Sequence, residues 1–256
     1  MTEEARAWWE ATADDFQREL DLPVELNWMG LGTHVPRTGE HGPADLDLLP
    51  DVDGAEVVEL GCGGGQCTVA LAKRGADGTG IDVSPSELEH ARELATEHDV
   101  AESIEFVEGD VRDLSMLEHD SFDVACDAWV FQWVDDLRAC FEEARRVLRP
   151  DGRFVFSMPH PTYDLVDPET HEVVESYFGE PRQVEDVEGM ETPMVTYRHR
   201  ISDVFADLRA ANFAVEQLRE PGTDAPEAYE DGPWGEFTAD LMAKLPTTLI
   251  VDARPA

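Results

Sequence analysis

Residues 57–65 read Val-Val-Glu-Leu-Gly-Cys-Gly-Gly-Gly, an apolar strand that carries a carboxylate, Glu59, and runs straight into Gly61, Gly63 and Gly65. Glycines at alternate positions leave the backbone bare. A ligand can then lie against it at the carboxyl end of a buried strand, where open α/β sheets keep their ligands. A dinucleotide turn of the G-x-G-x-x-G type needs glycine at 66, and Gln66 stands there, so the spacing is acid-x-G-x-G-x-G. Two more acids close the next two strands. Asp82 ends the second, where a carboxylate can accept both hydroxyls of a ribose, and Asp110, in Glu-Gly-Asp-Val, follows the third. Singly, a glycine cluster is a tight turn and a strand-end Asp is a cap. Three acids after three successive strands, beside that glycine cluster, point instead to a nucleoside-containing ligand. A nucleotide-sugar or NAD is one such ligand, because Asp82 suits an adenosine ribose there too; Gln66 and the second acid at 110 weigh against it.

The elements that must position these residues follow from periodicity. Short β-branched runs at 55–60, 78–83, 104–108, 122–127 and 153–158 alternate with amphipathic stretches at 65–74, 84–98 and 135–148, with a short segment near 112–117. That alternation is the signature of stacked β-α units and a parallel sheet. Ser84 is placed to cap the second helix, Pro85 suits its first position, and Glu87 completes an S-x-x-E box. Arg149-Pro150-Asp151-Gly152 reads as the turn into the fifth strand. Beyond 158 the rhythm breaks: residues 159–197 carry five prolines and scattered aromatics, and read as an insertion over the sheet. A helix at 201–211 and strands at 213–219 and 247–253 then complete the sheet. Residues 1–45 are helical from Ala5 to Leu20 and then loosen into a Gly/Pro/His-bearing loop. The whole is expected to be one domain, with a cap at 1–45, a core at 46–158, a lid at 159–197 and the end of the sheet at 198–256. Cap and lid, both outside the β-α rhythm, are expected to meet over the carboxyl edge of the strands.

The chain of 256 residues carries 57 acids against 19 bases, a formal net charge of −38, and only Lys73 and Lys244 are lysines. With 42% hydrophobic residues, this is a folded domain in a very acidic coat, as in proteins of salt-loving cells. Without a basic stripe to replace phosphate counterions, a nucleic-acid substrate is disfavoured. Cys62, Cys67, Cys126 and Cys140 form no C-x-x-C pair and no zinc spacing, so they read as reduced thiols and no metal is expected. No basic, apolar leader opens the chain and no apolar run approaches the ~20 residues that span a bilayer. The expectation is a soluble cytoplasmic protein, monomer or homodimer, away from membranes.

Acid-x-G-x-G-x-G, with Asp82 and Asp110 in order behind it, resembles the first motifs of the class I S-adenosylmethionine-dependent methyltransferases. The resemblance covers roughly residues 55–158. It implies a Rossmann-like, doubly wound, seven-stranded α/β sheet, mostly parallel with an antiparallel last strand, and S-adenosyl-L-methionine as cofactor. It further implies that the loop from Gly61 through Cys62 to Gly63 wraps the methionine portion, that Asp82 accepts the ribose hydroxyls, that Asp110 accepts the adenine amino hydrogen while the Val111 N–H meets the ring, and that a carbonyl near Asp127 meets the amino group; Glu59, Gly65 and Val83 are expected in the cofactor site with them. Ser121-Phe122-Asp123-Val124, Phe131-Gln132-Trp133-Val134 and Arg146-Val147-Leu148-Arg149-Pro150-Asp151-Gly152 are similar to the small-molecule branch that acts in ubiquinone and menaquinone synthesis. Val-Phe-Gln-Trp also echoes a carboxyl-methylating branch. The usual Pro-Gly-Gly turn reads Pro-Asp-Gly here. The fourth strand ends Cys-Asp-Ala-Trp and lacks the Asn/Asp-Pro-Pro-Tyr/Phe segment, which counts against methylation of a base or a glutamine amine.

A sulfonium donor is already activated, so in-line placement of the acceptor supplies much of the rate, and a general base helps where the acceptor is a hydroxyl or a weakly acidic carbon. His160, in Met-Pro-His-Pro beyond the fifth strand, is the first candidate for that base; Tyr163 and Gln132 are secondary. Trp28, Trp129 and Trp133 are candidates for a pocket wall that faces the sulfonium, with core packing as the ordinary alternative. Arg37 or Arg198 could take a substrate or methionine carboxylate, with an ion pair as the ordinary alternative. Two other readings stay open: a cofactor-binding protein without catalysis, and transfer of a carboxymethyl or aminopropyl group from the same cradle.

Overall fold

The computed structural model describes residues 1–20, 22–28, 35–36, 48–187, 189–230 and 238–256. Its centre is a seven-stranded sheet built from β1 (Glu56–Leu60), β2 (Asp77–Asp82), β3 (Ile104–Glu108), β4 (Phe122–Ala128), β5 (Leu148–Pro159), β6 (Phe213–Arg219) and β7 (Thr248–Pro255). The spatial order is β3-β2-β1-β4-β5-β7-β6. The first five strands pair in parallel, and β7 runs antiparallel between β5 and β6. The chain winds outward from β1 to β3 and then returns to lay β4 on the other side of β1. A crevice therefore opens between β1 and β4, the switch point where open α/β sheets bind ligands.

Alternation along each strand divides the core in two. Val58, Leu60, Ala125, Phe154 and Phe156 lie in the larger cluster, with Leu137, Phe141 and Ala144 of α4 (Leu137–Val147) and Val204 and Leu208 of α5 (Ile201–Ala210). Phe131 meets Phe141 and Phe156 edge-on at 5.4 and 5.1 Å, so the segment leaving β4 is pinned by aromatic packing. Val57, Val124, Cys126 and Val155 face the other way, under Cys67, Ala70 and Leu71 of α2 (Gln66–Ala72) and under Leu26 and Trp28. All four cysteines are free and buried.

The expected elements form with shifts of a residue or two, and three local readings are corrected. The capping box of α3 (Pro85–Glu97) is half made: Ser84 Oγ accepts the Glu87 N–H at 3.2 Å, but the Glu87 carboxylate turns away to α1 (Glu3–Leu20), where Gln17 donates to it at 2.7 Å. Residues 149–152 are not a free turn before the fifth strand. They lie inside β5, which begins at Leu148 and slips register between Phe122 and Val124 of β4. Residues 112–117 form turns rather than a helix.

Within 159–197 a two-stranded antiparallel ribbon, Arg182–Glu185 with Met194–Tyr197, rests on α1 and on residues 131–133. A short α6 (Ala239–Met242) leads into β7. The expected loop of the N-terminal cap, Arg37 included, lies mostly outside the described residues.

Candidate active site

The cradle is assembled by backbone. The Gly61 and Cys62 N–H groups both donate to the Ile81 carbonyl, at 2.7 and 2.9 Å, which folds the turn after β1 onto the end of β2. Gly61, Gly63 and Gly65 all have positive φ, at 74°, 49° and 83°. A Cβ on Gly61 would run into the Val130 side chain, and one on Gly65 would crowd Ala91 at 2.9 Å. At Gly63 the nearest atom to such a Cβ is Glu87 Oε2 at 3.6 Å, so this glycine serves conformation rather than packing and leaves room beside it. The Gly63 N–H donates to Asp82 Oδ2 at 3.0 Å and the Ser84 N–H to Oδ1 at 2.9 Å. Asp82 thus braces the glycine turn, with lone pairs to spare for a diol.

Burial governs the carboxyls behind this turn. Glu59 is 4% exposed and accepts the Thr68 hydroxyl from α2; burial pushes its carboxyl up to about 7 although Thr68 and Cys67 oppose it. Asp82 is raised by burial too, against the N–H groups of Ser84 and Gly63. Asp127 is fully buried at the end of β4, and neither of its oxygens has a hydrogen-bond partner of good geometry among the described residues. Burial raises it well above the carboxylate range, and the Val130 N–H offsets this only in part.

Asp110 is set differently. It receives the N-terminal ammonium of Met1 at 2.6 and 2.7 Å and the Arg112 guanidinium at 2.8 Å. Although its partial burial acts to raise it, these donors hold it down to about 2. Val111 beside it is fully buried. The Met1 side chain packs with Val83, Trp8 and Trp133, so the start of α1 covers the gap between Val83 and Asp110.

Sequence reasoning missed how α1 docks. Glu10 accepts the Ser84 and Ser86 hydroxyls at 2.8 and 2.7 Å, Asp14 meets His90 at 2.8 Å, and Gln17 bridges Glu87 and Gln66 at 2.7 Å each. The spacing 10, 14, 17 is one helical stripe. A polar stripe at that spacing was the available signal, and it reads as a solvated face until a partner is known.

The remaining candidates are dispersed. Trp133 joins the seam under α1, edge-on to Trp9 at 5.0 Å. Trp129 holds positive φ at 63° just past β4, donates its N–H to Ser157 O at 2.9 Å, and packs with Tyr163, Leu241 and Met242. Trp28 lies in the core under α2. The Gln132 Oε1 is buried without a partner among the described residues. His160 is 3% exposed at the junction of β5 and β7. Its Nδ1 accepts the Thr162 N–H at 3.3 Å, which leaves the proton on Nε2, 2.8 Å from Glu220; burial lowers its pKa. His199, which nothing in the sequence singled out, donates from Nε2 to the carbonyls of Phe131 and Val134 at 3.1 and 2.8 Å. Arg198 is 8% exposed, and its Nε has no hydrogen-bond partner among the described residues. No cluster of metal-ligating side chains occurs among the described residues.

Comparison with known proteins gives this arrangement a context. Residues 58–156 match the family described as "Methyltransferase domain". The ubiquinone biosynthesis O-methyltransferase of Psychrobacter cryohalolentis is 28% identical over 60% of this chain and 59% of its own length; the chain spans about three fifths of the curated relatives it matches first. An S-adenosylmethionine-dependent methyltransferase from Mesorhizobium loti superposes with a TM-score of 0.67 at 28% identity, covering 83% of this chain and 96% of that one. The cyclase SpnF, at 18% identity, shares the fold with a TM-score of 0.69 over 99% of this chain and 97% of its own. Residues 58–156 thus match a methyltransferase domain in sequence, and the sheet order around the glycine cradle is a fold the chain shares with an S-adenosylmethionine-dependent methyltransferase.

Proposed function

We propose that this protein transfers a methyl group from S-adenosylmethionine to a small-molecule acceptor. The observation that carries the reading is the joining of Asp82 to the Gly63 N–H beside an open glycine face, at the switch point of the sheet. The residues fit the cofactor. Asp82 would hold the ribose diol next to Val83, and Asp110 with Val111 would hold the adenine once the Met1 ammonium gives up its place on Asp110. The backbone of Gly61, Cys62, Gly63 and Gly65 would hold the methionine portion, with the end of β4 at Asp127 beside its amino group. When bound, the cofactor supplies a methyl group on a sulfonium, activated without help from the protein.

What is left for this chain is alignment, exclusion of water and handling of a proton. Alignment can supply the largest share, since well-oriented reactants gain up to ~7–11 kcal/mol. The cover made by α1 and the ribbon 182–197 suits an acceptor of small size, and the acidic coat opposes a nucleic acid. His160 is the proposed base where the acceptor must lose a proton; to act, Nδ1 would exchange its Thr162 contact for the acceptor while Glu220 holds the imidazolium that forms.

Calorimetry with S-adenosylmethionine, S-adenosylhomocysteine and NAD tests the binding reading, and tighter binding of NAD would overturn it. A product scan after incubation with cofactor and candidate acceptors tests transfer. In that assay His160→Ala is expected to slow turnover far more than it weakens cofactor binding; equal turnover would remove His160 as base.

A further inference from the structure

We propose that Arg198 is the recognition site for a carboxylate on the acceptor, which makes the substrate class a small carboxylic acid. The inference rests on the methyl-transfer reading and narrows it. It starts from an imbalance: the chain has 57 acids for 19 basic residues, so a buried arginine has acids available to it three times over. Its semi-buried counterparts use them. Arg153 holds Asp252, Arg146 holds Glu143, and Arg112 holds Asp110 and Asp135. Arg198 is more deeply buried than any of these, at 8% exposure, yet it meets no carboxylate among the described residues. Its guanidinium makes one hydrogen bond there, from Nη1 to the Ser176 carbonyl at 3.2 Å, and the Nε–H is left with no acceptor. Among the described residues the edge formed by Nε and Nη2 therefore meets no acceptor at Nε, and such an edge matches the two oxygens of a carboxylate.

Position supports the role. The Arg198 N–H donates to Pro181 O at 2.8 Å, which prolongs the ribbon by one residue. The next residue, His199, grips the Phe131 and Val134 carbonyls just past β4. On its other side Ser176 belongs to an arch tied back to the Leu165 carbonyl by the Val174 and Glu175 N–H groups, at 2.8 and 3.3 Å. Val166 in that arch packs against the cluster of Tyr163, Leu241 and Met242, as does Trp129, whose positive φ marks the exit of β4. Arg198 thus stands where the inserted segment meets the ligand edge of the sheet, and Gln132, whose buried oxygen has no partner among the described residues, lies in the segment His199 grips. A carboxylate fits better than a phosphate: one guanidinium edge answers a single charge, and a dianion would bring a second charge into a chain of net charge −38.

The test uses the full-length protein saturated with S-adenosylhomocysteine, in fixed potassium chloride, with benzoate, 3-phenylpropionate and hexanoate titrated against their own carboxamides. At least one carboxylate is expected to bind about thirtyfold or more tightly than its amide, as a charge-assisted bidentate pair would give. Arg198→Met is expected to remove that preference while its affinity for S-adenosylhomocysteine stays within about twofold, and Arg198→Lys to recover part of it. Equal binding of acid and amide by the unaltered protein overturns the inference without any variant, as does an unaltered preference in Arg198→Met or the absence of carboxylate binding to a protein that binds S-adenosylhomocysteine. Failure to bind S-adenosylhomocysteine at all overturns the methyl-transfer reading instead.

Discussion

Glu59, Asp82, Glu87 and Asp127 are all buried along one edge of the sheet, where water no longer stabilises their charge. Burial pushes Glu59 to about 7 and Glu87 to about 8, with the Asp82 charge adding to both. In the unfolded chain both titrate near ~4.3. The native state therefore holds more protons between about pH 4.5 and 8, and the stability these groups contribute, complete below that window, is lost as pH rises through it. Glu87→Gln keeps an acceptor for Gln17 and removes the charge. It is expected to melt with the unaltered protein near pH 5 and some 3–8 °C above it at pH 8.5, on the order of 1–3 kcal/mol for a chain of this size; a gap that does not change with pH would refute the assignment. Asp82 is the other residue whose role can be separated. Asp82→Ala removes an ionised acceptor worth about 1.5–3 kcal/mol, so S-adenosylmethionine should bind about ten- to a hundredfold more weakly by calorimetry. Unchanged affinity would confine Asp82 to bracing the glycine turn.

At the scale of elements, strands and helices were legible because their signals are local. Val57, Val58 and Leu60 alternate across a pleat, Ser84-Pro85 opens a helix, and glycine at 61 tolerates a φ that a β-carbon would not. Where a local signal depended on a distant partner, it misled. Glu87 looked like the return half of a capping box, but Gln17 lies 70 residues away and takes it. The segment after β4 is a similar case, since its conformation is held by a histidine about 65 residues further on. His199→Ala deletes both bonds to the 131 and 134 carbonyls and leaves them buried. We expect a loss of about 1–3 kcal/mol, seen as a melting temperature lower by several degrees, and faster amide exchange confined to residues 128–136. Exchange that rises evenly across the chain would instead make His199 an ordinary contributor to the core.

For the molecule as a whole, charge is the dominant fact. With a net charge of −38, repulsion reaches about 30 Å at 0.01 M salt and about 3 Å at 1 M. The described ion pairs use most of the arginines, among them Arg6, Arg112, Arg138, Arg146, Arg149 and Arg153, and most acids stay unmatched. The compact state concentrates this repulsion and the unfolded chain relieves it, against a margin of typically ~5–15 kcal/mol. The melting temperature should climb steeply from dilute buffer to molar potassium chloride, with activity following it. A flat profile would refute adaptation to salt and point instead to a dedicated basic partner as the reason for the charge.

The sequence by itself determined the β-α alternation, the glycine turn after an acid and the three acids at successive strand ends. All of these are set by residues within a few positions of one another, through pleat, cap and allowed φ. Only the tertiary structure decided what faces them. It placed the polar stripe of α1 on the start of α3, set Met1 and Arg112 on Asp110, filled both ring nitrogens of His160, and buried Arg198 away from every described acid. Met1 and Asp110 are 109 residues apart, and a side chain's partner at such separation depends on how whole elements pack, which no local period records.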